Sequence, residues 1–187
     1  TRSARLAACA YMPQHDTLLP WLRAIDNAGL GPRLAGRSRA AARATASPMF
    51  ERLGLAGFEL ARPAELSGGM RQRVAFARTL LTGKPVLLLD EPFAALDAIT
   101  RADLQSWLRS VLAAEPRTTV LVSHDVEEAL YVADRVLVLS QRPARIVWEG
   151  AAPAGREGND RAATVTAPGF AHAREEALHA LGSGAPA

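Results

Sequence analysis

Residues 83–92 read GKPVLLLDEP, and the class of fold turns on the middle of that stretch. Val86, Leu87, Leu88 and Leu89 are four consecutive aliphatics, the pattern of a strand buried on both faces of a parallel sheet. A Gly-Lys pair precedes them and two carboxylates, Asp90 and Glu91, follow, a combination that suggests nucleotide chemistry. The pair is not a phosphate-binding loop. Such a loop, G-x-x-x-x-G-K-[ST], wraps phosphates in backbone N–H groups and reaches Mg²⁺ with its hydroxyl. Here the first glycine position holds Arg78, and Lys84 is followed by Pro85, which has neither hydroxyl nor N–H. No other stretch fits the pattern. Gly83-Lys84-Pro85 is therefore expected to be a turn, with Lys84 solvated.

Outward from this strand the periodicity alternates. On its N-terminal side Met70, Val74, Ala77 and Leu81 fall on one face of a helix starting at Gly68. On its C-terminal side Leu104, Trp107, Leu108, Val111 and Leu112 mark a second amphipathic helix. Thr118 to Val122 reads as another buried strand. Asp125 and Glu128 have the N-cap and N3 spacing of a short helix, and Arg135–Ser140 with Arg145–Glu149 form a closing strand pair around Arg142-Pro143. Leu6 to Tyr11 is a first strand, stopped by Pro13 and leading to Gln14. Residues 22–62 read as a helical insert, interrupted at Gly31-Pro32 and at Pro48. The result is an α/β chain with a mostly parallel sheet. Its main domain spans 1–150, with a helical subdomain over about 22–81. Residues 151–187 form an extension, first loop and then a weak helix carried by Phe170, Ala177, Leu178 and Leu181.

Composition narrows the setting. The 187 residues are 49% apolar with a net charge of +3, as in a globular chain with a sizeable core. Lys84 is the only lysine, and the arginines are dispersed, so a nucleic-acid surface is not indicated. Cys9 stands alone, which excludes an internal disulfide and fits a reducing compartment. No apolar run approaches the length that crosses a bilayer, and no signal peptide opens the chain. Service to a membrane would run through a partner. The chain begins at Thr1 without an initiator Met, which is read as the mark of a fragment.

Four features sit at strand ends or helix starts, where open parallel sheets bind ligands. Asp90-Glu91 could hold Mg²⁺ and accept a proton from water, or could merely cap a helix. Ser67-Gly68-Gly69 before the helix could offer free N–H groups to a phosphate, or be an N-cap and a tight turn. His124 follows the Thr118 strand, and Gln14 follows the first strand. A structural histidine and a surface glutamine are the alternatives.

In this order the residues resemble the ATP-binding subunit of ABC transporters. Leu66-Ser67-Gly68-Gly69-Met70-Arg71-Gln72-Arg73 is similar to that family's signature motif, and Val86 to Pro92 to its Walker B strand. Ala95-Leu96-Asp97 resembles the D-loop, Ser123-His124-Asp125 the H-loop and Met12-Pro13-Gln14 the Q-loop. Tyr11 to Gln14 with Leu18-Leu19-Pro20-Trp21 is similar to importers of nitrate, sulfonates, taurine and thiamine precursors.

The resemblance, over about residues 6–150, implies a P-loop NTPase-like fold and an importer's ATPase subunit on the cytoplasmic face of the membrane. It implies ATP and Mg²⁺ as cofactors. Its partners would be a second copy head to tail, transmembrane permease subunits and a periplasmic or lipoprotein substrate-binding protein. Nucleotide contacts would come from Ser67, Gly68, Gly69, Gln72, Asp97 and Gln14. Asp90 and Gln14 would attend the metal, and Glu91 and His124 would be catalytic. The family's P-loop strand and N-terminal β subdomain have no match here, so a truncated chain, inactive alone and with an exposed strand edge, is expected. A ribosome- or nucleic-acid-associated ABC ATPase is the alternative.

Overall fold

A computed structural model describes residues 7–151 and 161–183. Two units divide the chain: residues up to Arg101 with Arg117–Val122, and Ala102–Pro116 with residues from Ser123 onward.

In the first unit, β1 (Cys9–Met12), β2 (Val86–Asp90) and β3 (Thr118–Val122) form a parallel sheet in the order β1-β2-β3. The register pairs Met12 with Leu89 and Leu89 with Leu121, and likewise Tyr11 with Leu88 and Leu88 with Val120. Since side chains alternate between faces, these rows separate the two sides of the sheet. One side carries Ala10, Met12, Leu87 and Leu89, all buried. The other carries Tyr11, Leu88, Asp90, Val120 and Val122, and Val120 and Val122 are 51% and 52% exposed. The expectation of strands buried on both faces is thus corrected. Four aliphatics in a row are compatible with double burial, but only one face is covered by the described elements. β3 also has a described partner on one edge alone.

Four helices build the rest of this unit: α1 (Ala24–Ala28), α2 (Leu30–Leu34), α3 (Arg39–Arg52) and α4 (Gly68–Leu80). α4 packs on β1 and α1, burying Val74, Ala75, Phe76, Ala77 and Leu80. The ring of Phe76 lies 5.9 Å from that of Phe93. Each fully buried Val or Phe side chain among these contributes about 1.5–3 kcal/mol.

Of the two breaks expected in the helical insert, the one at Gly31-Pro32 falls instead at Gly29, between α1 and α2, and the one at Pro48 does not occur. Gly31 and Pro32 lie in the first turn of α2, where proline's missing N–H has no intrahelical partner to lose. Gly31 is there for close approach: a Cβ would stand 2.9 Å from the Cα of Thr82. α3 runs through Pro48 because Ala42, Ala46 and Phe50, spaced at i, i+4 and i+8, bury one face and outweigh the lost bond. Lys84 is not simply solvated either. It is half-buried, and its Nζ donates to the carbonyl of Ala7 just before β1.

α5 (Ala98–Ala114) begins in the first unit and continues in the second. The second unit adds α6 (Val126–Val132), the antiparallel pair β4 (Arg135–Leu139) and β5 (Ile146–Ala151), α7 (Arg161–Thr166) and α8 (Pro168–Ser183). Asp125 caps α6, accepting from the Glu128 N–H at 3.1 Å. Tyr131 is buried, with the guanidinium groups of Arg109 and Arg161 4.5 and 5.1 Å from its ring centre. The expected final helix is α8, which buries Phe170, Ala177 and Ala180, whereas Leu178 and Leu181 are 49% and 43% exposed. Part of the expected loop beyond Gly150 is the helix α7, and residues 152–160 lie outside the described residues.

Between α1 and α3 a groove of about 340 Å³ is floored by Leu22, Ile25, Leu30 and Ala42. Asp26 also lines it, accepting bidentate bonds from Arg43 (2.8 and 2.8 Å) and Arg39 (3.0 and 2.5 Å). Those bonds, Arg43 first, hold its carboxyl well below the usual carboxylate range. A depressed folded-state pKa means that the stabilisation is complete above the ordinary carboxylate pKa. It is lost only as pH falls through the lowered value. Asp26→Asn is expected to cost about 1–2 kcal/mol at pH 7, less than a wholly buried pair because the Arg39 end is solvent-screened. Urea melts should show that gap in full at pH 7 and see it narrow only below about pH 4.

Candidate functional site

Parallel register brings the C-terminal ends of β1 and β2 to one side of the sheet. Gln14, exposed, lies two residues beyond Met12, and Asp90 closes β2 opposite Val122. The Tyr11 hydroxyl donates to Asp90 Oδ2 at 3.1 Å, across the open face of the sheet. That bond to the carboxylate holds the Tyr11 phenol above its usual pKa.

The chain then turns sharply. Glu91 has φ +50°, in the left-handed region that a non-glycine residue occupies at a cost of about 1–3 kcal/mol. It is held there from both sides. Its N–H donates to the Val122 carbonyl at 2.9 Å, and Pro92 and Phe93 behind it are buried. The strained turn ends the strand at Asp90 and carries the chain off the sheet at Glu91.

From Phe93 the loop runs to Asp97, which caps α5 by accepting from the Thr100 N–H at 3.0 Å. The same backbone bond lowers the pKa of Asp97. This loop meets the glycine turn. A Cβ on Gly69 would lie 3.1 Å from the Ala95 carbonyl oxygen and 3.5 Å from Leu96 Cδ2. Ser67 caps α4, accepting from the Met70 N–H at 3.2 Å, and Ser67 and Gly68 are exposed. The helix thus presents its N-terminal end outward, the positive end of its dipole.

The expected residues therefore fall into two groups in the first unit: Gln14, Asp90 and Glu91 at the strand ends, and Ser67, Gly68 and Gly69 against the loop leading to Asp97. Gln72 belongs to neither surface. It is buried on the inner side of α4, and its Nε2 has no partner among the described residues. His124, exposed, stands in the second unit between β3 and the Asp125 cap.

Three residues escaped sequence reasoning. Tyr11 read as part of a strand, though its parity with Asp90 across paired strands places both on one face. Arg71 and Arg78, seven apart on α4, grip the loop just after Gln14. Arg71 Nε donates to Asp16 Oδ2 at 2.9 Å, and Arg78 donates to the carbonyls of Asp16 and Thr17 at 2.8 and 2.9 Å. Burial lowers the pKa of Arg78, with Asp16 opposing the shift. The i, i+7 spacing was the available signal.

The family model for ABC transporter matches residues 1–94. The chain belongs to the ABC transporter family. It is 54% identical over 131 residues to the aliphatic sulfonates import ATP-binding protein SsuB 1 of Rhodococcus jostii, covering 70% of this chain and 51% of that protein. With the formylaminopyrimidine import ATP-binding protein ThiZ of Halalkalibacterium halodurans it shares 47% over 133 residues, 71% of this chain and 53% of the relative. With the taurine import ATP-binding protein TauB of Rhizobium johnstonii the figures are 43% over 166 residues, 87% and 63%. The chain thus spans about half to two thirds of the length of these curated relatives. Among solved structures it is similar to the dimeric ATP-binding cassette MJ0796 bound to ADP and Pi. The TM-score is 0.71 with 28% identity, over 80% of this chain and 65% of that one. The fold is that of the ABC ATPase cassettes.

Within this ABC chain the two glycines are not equivalent. A Cβ on Gly68 would meet nothing nearer than an Arg71 nitrogen at 3.8 Å, at the end of a flexible side chain. Gly69→Ala should destabilise the protein by about 1 kcal/mol, since the 95–96 backbone must shift. Gly68→Ala should stay within about 0.5 kcal/mol of wild type. Thermal melting of the two variants compares them directly, and equal midpoints would contradict this reading of the loop contact.

Proposed function

We propose that the chain is the ATP-hydrolysing part of a subunit that energises import of a small molecule of the nitrate, sulfonate, taurine or thiamine-precursor class. The observation that carries this is the end of β2, where a strained turn presents Asp90 and Glu91 together at the C-terminal edge of a parallel sheet. The import ATP-binding names of the relatives support the transport role. No helix among the described residues is long and apolar enough to cross a membrane. In this reading passage belongs to a permease partner, met at the cytoplasmic face and served by a substrate-binding protein.

The donor set suits Mg²⁺ that arrives with nucleotide phosphates, since that ion uses one or two carboxylates and leaves other positions to phosphate and water. Among the described residues no group of three or more His, Cys, Asp or Glu could hold a metal alone. Asp90 and the Gln14 amide are the residues that would hold it. When bound, Mg²⁺ and ATP supply the transferable phosphoryl group and the charge that orients it. Glu91 accepts a hydrogen bond from the attacking water and orients it. Ser67 and the N–H groups of Gly68 and Gly69 bind the terminal phosphate held by a second copy, paired head to tail. Asp97 bridges the two sites, and His124 donates to the charge that develops on the phosphate. Gln72, from its buried position, supports the turn from within. Residues 22–81 act as a helical subdomain of an ATPase domain reaching to about 150, and 151–187 as an extension.

Phosphoryl transfer is mainly positioning and electrostatics, so loss of one group is costly. In an assembled transporter whose ATPase subunit contains these residues together with a G-x-x-x-x-G-K-[ST] loop, Glu91→Gln should lower kcat about 100-fold or more while ATP still binds. Phosphate-release assays with a filter-binding control measure both, and a variant that keeps its turnover would remove Glu91 from the mechanism. Because G-x-x-x-x-G-K-[ST] does not occur among the 187 residues, the purified polypeptide 1–187 should show no Mg²⁺-dependent turnover. Robust hydrolysis by it would overturn the assignment of roles.

A further inference from the structure

We infer that Arg71 and Arg78 are positioning residues, a two-arginine clamp through which the signature helix α4 sets the placement of the loop carrying Gln14. This rests on the ATPase reading above and adds to it the device that holds one part of the site in register with another.

The loop between β1 and α1 has no regular structure to fix it. Gln14 is exposed, and Thr17 has φ +43°, an outlier for a β-branched residue. Such a conformation persists only where its surroundings over-determine it. Arg78 does so with a three-point grip: Nη1 on the Thr17 carbonyl at 2.9 Å, and Nη2 on the Asp16 carbonyl at 2.8 Å and on Thr17 Oγ1 at 3.0 Å.

Arg71 makes the second link. Its Nε donates to Asp16 Oδ2 at 2.9 Å and its Nη1 to the Leu66 carbonyl at 2.8 Å, one residue before Ser67. A single guanidinium therefore ties the loop after Gln14 to the turn that presents Ser67 and the glycines. The other Asp16 oxygen accepts from the Leu18 N–H at 3.1 Å, closing the turn. Downstream, fully buried Asn27 exchanges bonds with Leu19, accepting its N–H at 2.8 Å and donating to its carbonyl at 3.1 Å. The loop is thus anchored at α4 and at α1, with Gln14 on the span between those anchors and β1.

Arginine is required by the geometry. Its planar fork reaches two carbonyls and a hydroxyl at once, whereas lysine offers a point charge on a flexible stem. The two residues stand two helical turns apart on one face of α4, so both point at the same segment.

The test uses an assembled transporter whose ATPase subunit contains these residues together with a G-x-x-x-x-G-K-[ST] loop, with Arg78→Gln, Arg78→Lys and Asp16→Asn. Loss of an interaction that only positions a reacting group lowers kcat and spares KM, so Arg78→Gln should lose about tenfold in kcat with the KM for ATP within about twofold. Hydrogen exchange at the Leu18 and Leu19 amides should speed up about tenfold, while α4 amides from Val74 to Leu80 keep their protection. Arg78→Lys should recover only part of both effects. Should Arg78→Gln fail to assemble, Asp16→Asn removes only the Arg71 link and should show smaller changes of the same kind. Unchanged kcat with a loosened loop overturns the inference. So does equal loss of protection along the loop and α4, which marks a general structural role. A wild-type assembly without ATPase activity would instead overturn the ATPase reading, and the exchange arm would still decide whether the arginines hold the loop.

Discussion

Strand β2 is hydrogen-bonded along both edges, to β1 through pairs ending at Met12–Leu89 and to β3 through pairs ending at Asp90–Val122. That double pairing is the constraint on which the first unit depends. It fixes which residue is last on the strand, and therefore which carboxylate stays on the open face of the sheet beside Tyr11 and which is thrown into the following turn. A one-residue slip would exchange the buried Leu87 and Leu89 for Val86 and Leu88 and move the carboxylates with them. The left-handed turn at Glu91 is tolerable because its N–H completes the ladder to Val122.

Around this sheet the arginines do more than colour the composition. They are dispersed along the sequence, yet several end on backbone carbonyls that no helix or strand satisfies. Arg73 donates to the carbonyl of Leu53 at 2.7 Å, Arg117 to that of Leu80 at 3.0 Å, and Arg71 and Arg78 to the loop after Gln14 and the turn before Ser67. A group that stays charged when partly buried, with several donors in one plane, suits this task. Lys84 does a smaller version of it at Ala7.

Legibility in the sequence followed the range of the interaction. Local signals read well: Ser67 caps α4, Asp125 caps α6 with Glu128 as its third residue, and the strand pair closes around Arg142-Pro143. Pro48 misled because tertiary burial of Ala42, Ala46 and Phe50 overrides a local penalty. Gly31 misled because its reason is Thr82, fifty-one residues away in the chain. Of the four residues that carry the last helix, Phe170 and Ala177 are buried together with Ala180 while Leu178 and Leu181 are exposed, since short alanines let the helix approach where leucines would not.

By itself the sequence determined the kinds of element, the order in which they alternate and the identity of the chemical groups at their ends. Those depend on periodicity, caps and turn chemistry, which act within a few residues. Only the tertiary structure decided which face of the sheet is covered, that Tyr11 meets Asp90, that Gly69 needs its missing Cβ, that Gln72 turns inward and that Arg71 and Arg78 grip the loop after Gln14. Each of those depends on residues far apart in sequence becoming neighbours, and pairing register and packing, which no local pattern encodes, choose the neighbours.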